Sequence, residues 1–208
     1  MDDIESGLRD ISAVRSMMER ASKFLSLSGL SGISAGVVAL AGAWAAYRAI
    51  GESGGQLPLP GEEAAGAALP LGFLLADAVA VLVIALGCSI YFSVRMARKK
   101  GLPLWGPTTL YLLGALTIPL AAGGAFCAVL VLHGLYGLLP SVMLLFYGLA
   151  LLNAGNFTFG EIRYLGIIDI LLGLTAGFRP SLGLVLWAGG FGLLHIVYGV
   201  LLYTKYEK

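Results

Sequence analysis

Apolar runs long enough to cross a bilayer constrain this chain more than any motif does. A helix rises about 1.5 Å per residue and a bilayer core is about 30 Å thick, so a crossing takes about 20 apolar residues. Such runs cover 29–50, 70–94, 107–155, 164–178 and 181–203. The third is too long for one crossing and divides into two helices at the turn HGLYGLLP, His133 to Pro140. The chain is 58% hydrophobic and only 12% charged, about half the charge that a soluble domain carries. A soluble fold of 208 residues could not hide so much apolar surface. The expectation is an all-α, polytopic transmembrane helix bundle of about six transmembrane helices, with the lipid bilayer as its partner.

Basic residues orient it. Arg95, Arg98, Lys99 and Lys100 crowd the loop after the second run, which the positive-inside rule places in the cytoplasm. Six crossings then put both the N and C termini inside. Arg9, Arg15, Arg20, Lys23, Arg163, Lys205 and Lys208 fall on that side too, while Arg48 and Arg179 fall outside. The outer loop 51–69 holds Glu52, Glu62 and Glu63 and no base. The location implied is a bacterial inner (cytoplasmic) membrane.

Two parts follow. Residues 1–25 form a cytoplasmic leader, and residues 26–208 form the transmembrane domain. Ile4, Leu8, Ile11, Val14, Met18, Ala21 and Leu25 recur at three- and four-residue steps, one face of an amphipathic N-terminal helix. That helix either lies against the inner leaflet or docks a protein partner through residues 1–23. The fifth run is short: 164–178 between Arg163 and Arg179 either spans with snorkelling arginines or forms a re-entrant hairpin.

Ionisable groups inside a membrane are costly and each needs a reason. Asp169 lies eight residues into the fifth helix from Glu161, about 12 Å deep. His195 lies eight residues before Tyr203 on the sixth, at matching depth. Each has glycine at i−3 and i+4 (Gly166 and Gly173; Gly192 and Gly199), so the two faces are expected to pack on each other and join the pair by a hydrogen bond. A histidine beside a carboxylate suits a proton- or ion-responsive site; a buried clasp that fixes helix register is the alternative. Asp77 is expected either to face a cavity or to pair with Arg48. Pro119, with Gly123 and Gly124 after it, should kink the third helix, and transporters often bind substrate at broken helices. Asn153 marks the inner end of the fourth helix. Ser28, Gly32 and Gly36 make a small-residue packing face, within the protein or between copies as a homo-oligomer. Tyr198, Tyr203 and Trp105 read as anchors near the interface.

Several classes are set aside. No basic stripe with interleaved aromatics suggests nucleic acid, and no enzyme motif is present. Cys88 and Cys127 have no CxxC neighbour and read as small core residues, so no metal and no cofactor is expected.

The passages FGEIRYLGIIDILLGL and LGLVLWAGGFGLLHIVYG, with the opening FLSLSGLSG, resemble an uncharacterised family of bacterial six-helix integral membrane proteins. The last hairpin also resembles HdeD-type acid-resistance membrane proteins, through Gly166, Gly173, Pro180 and Gly199. Asp169 and His195 are not part of that pattern. The leading expectation is a non-enzymatic membrane protein that handles a proton, ion or small solute. The alternative is an accessory or scaffold subunit that recruits a partner through the N-terminal helix.

Overall fold

A computed structural model describes residues 28–53, 70–101 and 105–208. The leader 1–25 and most of the acidic loop 51–69 lie outside these residues. Six rods make up what is described: α1 Gly29–Glu52, α2 Leu71–Lys100, α3 Pro107–Leu132, α4 Leu139–Ala154, α5 Glu161–Phe178 and α6 Pro180–Tyr206. No strand occurs among the described residues. Five of the rods are long and apolar enough to cross a membrane. The sixth, α5, is 18 residues long and differs by carrying Glu161, Arg163 and Asp169. It is one uninterrupted helix, so the hairpin alternative does not hold.

Local chemistry sets the ends. Ser28 caps α1 by accepting from the Leu30 N–H at 3.3 Å. The Glu207 carboxylate reaches the same end, taking the Gly29 N–H and the Ser28 hydroxyl. An anion suits the positive end of a helix, and this contact places the start of α1 beside the end of α6. Arg98, Lys99 and Lys100 fill the last turn of α2, where cations suit the negative end. Gly101 then closes that helix at φ +64°, a conformation glycine adopts without a Cβ clash. Gly134, at φ +72°, turns the chain between α3 and α4.

The centre of the bundle is α1, α4, α5 and α6, with α2 flanking α1 and α3 flanking α4. Two glycine seams hold it. On α4 and α5, a Cβ on Gly148 would stand 2.6 Å from the Gly166 carbonyl oxygen, and one on Gly166 would stand 2.7 Å from that of Gly148. Ser141 donates to the Gly173 carbonyl at 2.7 Å further along the same seam. On α1 and α6, Gly36 meets the Gly192 carbonyl at 2.6 Å and Gly199 meets that of Gly29 at 2.6 Å by the same measure. The glycine faces of α5 and α6 therefore do pack at backbone distance, but not on each other. The first lies on α4 and the second on α1. The small-residue face of α1 is used within the protomer.

The exterior is apolar. Val79, Leu82, Val83 and Leu86 of α2 are all more than half exposed (60, 65, 62 and 56%). Water would make such a face an aggregation liability, whereas hydrocarbon wets it without cost. Trp105 is exposed, and the free cysteines Cys88 and Cys127 are half-buried.

Candidate functional site

The polar centre lies where α6 departs from regular helix. The rod begins with a 3₁₀ turn, Pro180–Leu182, and an α-helical turn, Gly183–Trp187. Ala188–Leu194 is π-helical, and α-helix resumes over His195–Tyr206. The π segment reads AGGFGLL. Its three glycines supply little side-chain packing to hold an α-helix and let neighbours approach the backbone closely. π-Helical turns are rare and gather at functional sites.

His195, 7% exposed, makes two bonds. Its Nδ1 lies 2.8 Å from the Gly190 carbonyl, and its Nε2 lies 2.7 Å from the Tyr147 hydroxyl on α4. A carbonyl only accepts, so Nδ1 carries hydrogen, and in the neutral ring Nε2 accepts from Tyr147. Rings enclose the imidazole: Phe191 at 6.0 Å and 15°, and Tyr147 at 5.3 Å. Trp187 adds a third ring, tilted by 37° at 5.1 Å from Phe191. Trp187, Phe191 and His195 stand at i, i+4 and i+8, one stripe of α6.

Asp169 is fully buried, and neither carboxylate oxygen has a hydrogen-bond partner. Its Oδ1 faces the α-carbon of Gly190, where a Cβ would stand only 2.7 Å away. Leu144 and Leu172 border the same glycine. The expected direct bond between Asp169 and His195 is therefore corrected: His195 is saturated by Tyr147 and Gly190, and Asp169 by nothing. The two meet through Gly190, which receives the imidazole on its carbonyl and the carboxylate against its α-carbon. Asp169 also lies within electrostatic reach of the Tyr147 hydroxyl.

The other candidates separate from this centre. Arg48 pairs with Glu52 on its own helix at 3.2 Å and lies over Trp44, so the expected Arg48–Asp77 pair is not made. Asp77 instead faces Gly42 of α1 and lines a groove. Pro119 lies within an unbroken α3, and the irregular helix is α6. Asn153 donates to the Ala115 carbonyl across the α3–α4 contact at 3.5 Å. Residue 115 is four before Pro119, so this is the carbonyl that the proline leaves without a helical donor. Tyr198 turns inward: its hydroxyl is buried without a partner, and its ring packs on Leu151, Ile162 and Leu165. At the end of the bundle, Glu161 holds Lys205, and Tyr206 donates to it at 2.9 Å. Among the described residues, no three His, Cys, Asp or Glu side chains gather as metal ligands.

Tyr147 and Gly190 are the two members that sequence reading missed. A tyrosine inside an apolar run (LLFYGLALL) and the adjacent glycines of WAGGFG were the available signals. Among the described residues, fold and site together define an all-helical bundle with an apolar exterior and one unpaired buried carboxylate. Compared with family models, curated proteins and solved structures, the chain finds no match.

Proposed function

We propose that this chain is a six-span protein of the bacterial inner membrane, both termini cytoplasmic, that handles a proton, ion or small solute. Asp169 is its working group, and Tyr147, Gly190 and His195 shape its surroundings. α5, 18 residues and about 27 Å long, makes the fifth crossing, its terminal arginines reaching towards the headgroups. One observation carries the reading: both oxygens of the fully buried Asp169 lack a donor. A buried charge without a partner is costly, and a register clasp would be bonded. His195 fits the clasp description, since both its ring nitrogens are satisfied, whereas Asp169 does not. The resemblance to six-helix bacterial membrane proteins and to HdeD-type hairpins agrees with this architecture and assigns no residue a role.

The test is flux into proteoliposomes that enclose a pH dye, driven in turn by a proton gradient and by a potassium diffusion potential. The expected result is flux with the wild type and none with Asp169→Asn, at equal expression and equal elution volume. Equal flux from the variant would remove the proposal.

A second reading, an accessory subunit, is favoured by the apolar stripe from Ile4 to Leu25. Under it, deletion of residues 1–23 releases a co-purifying protein, and Asp169→Asn only lowers stability.

A further inference from the structure

A second carboxylate sits in a setting of a different kind. Away from the Ser28–Glu207 end, α1, α2, α4 and the start of α6 leave a groove between them. Its walls are almost wholly apolar: Ala46 and Ile50 of α1, Leu74 of α2, Met143 of α4 and Leu184 of α6 are representative. Two aromatic residues, Tyr136 and Trp187, also line it. Among the described residues, the one acidic residue on its wall is Asp77, about 9 Å along α2 from Leu71. Its carboxylate lies against Gly42 of α1: a Cβ there would stand at ordinary contact distance, 3.4 Å, from Asp77 Oδ2, and 2.3 Å from Val81 Cγ2.

Among the described residues, no Lys or Arg pairs with Asp77. Arg48, the nearest by sequence reading, is engaged by Glu52. The connecting residues 54–69 contain no Lys or Arg. No hydrogen bond or ion pair to Asp77 forms among the described residues.

We infer that this groove binds an amphipathic organic cation, its charged nitrogen on Asp77 and its apolar body against the groove. Charge complementarity selects that occupant over an acyl chain, which would leave the carboxylate unanswered in apolar surroundings. Aromatic faces add affinity for a quaternary ammonium in particular. Trp187 gives the groove a connection inward, because its ring contacts Phe191 at a tilt of 37°, and Phe191 stacks on His195. An occupant touching Trp187 is thus two rings from the polar centre. The inference does not rest on transport through Asp169.

The probe is benzyltrimethylammonium, with neopentylbenzene as its neutral isostere, titrated against full-length protein in lipid nanodiscs. Trp187 fluorescence is the readout, in a background of Trp44→Phe and Trp105→Phe, whose side chains lie outside the groove. The expected result is saturable binding of the cation and none of comparable affinity for the neutral compound. Asp77→Asn should weaken cation binding by about tenfold or more, as loss of a partly desolvated charge partner does, while Asp77→Glu retains it. Asp169→Asn should leave it unchanged, which separates this site from the polar centre. Equal affinity for both probes, equal affinity in Asp77→Asn that elutes as the wild type does, or loss in Asp169→Asn alone would overturn the assignment.

Discussion

The imidazole of His195 reaches back along its own helix to the Gly190 carbonyl, 2.8 Å from Nδ1. The two residues are five apart, and the π-helical turn lies between them. The same glycine offers its bare α-carbon to Asp169. One residue therefore positions both ionisable groups, and it can do so only without a side chain.

Gly190→Ala is the direct check. The added Cβ would lie 2.5 Å from Leu144 Cδ2 and 2.7 Å from Asp169 Oδ1, so the carboxylate, the leucine or the helix must shift. Overpacking of this kind costs about 1–3 kcal/mol. The variant is expected to melt lower in detergent and to lose the flux assigned to Asp169. An unchanged melt with full flux would mean that the close approach is not needed.

Tyr147→Phe tests the second arm of the site. The ring contacts to Phe191 and His195 at 4.8 and 5.3 Å can survive, and only the hydroxyl is lost. His195 Nε2 is then buried without a donor, at a cost of about 1–3 kcal/mol. Tyr147→Phe with His195→Phe removes both partners, and the double variant should be more stable than the sum of the single changes implies. Additive losses in thermal or chemical unfolding would deny the coupling.

The rods themselves were legible because bilayer thickness and helix rise dictate run length, and the turn at His133–Pro140 carries its own glycine and proline signals. Asp169 and His195 were legible because an ionisable side chain within an apolar run stands out. Which helices neighbour one another was not. A Gly-x₆-Gly face such as Gly166–Gly173 permits close approach to any smooth partner, and nothing in its spacing chooses α4 over α6. The π segment was hidden for a related reason, since AGGFGLL is equally writable as α-helix and differs only in how little it resists widening. Tyr147 was passed over because a lone tyrosine in an apolar helix usually signals packing, and its partner lies 48 positions away.

Asn153 and Pro119 are expected to be energetically linked. Asn153 supplies a donor to the Ala115 carbonyl at 3.5 Å, a long bond worth no more than about 1 kcal/mol. In Pro119→Ala, residue 119 regains its own N–H and the helix can satisfy that carbonyl. Asn153→Leu should thus destabilise the wild type by up to about 1 kcal/mol and cost little when Pro119 is already alanine. Unfolding of the four proteins in one detergent measures the cycle, and equal losses in both backgrounds would show that Asn153 serves something else.

The seams give a comparison within a single residue type. Gly148 is closed in by the Gly166 carbonyl and by Ile170, whereas Gly124 of α3 meets nothing within 4 Å. The sequence gives no means of ranking these two glycines, since both lie mid-helix in apolar runs. Gly148→Val would push α4 and α5 apart along a contact made of backbone, and close packing supplies much of the cohesion between helices in lipid. A loss of about 2–3 kcal/mol is expected, near the upper part of the range for overpacked positions. Gly124→Val should stay within about 0.5 kcal/mol of the wild type, as an exposed change away from any contact does. Thermal unfolding of both variants in one detergent decides it, and similar melting temperatures would contradict the close approach of α4 to α5.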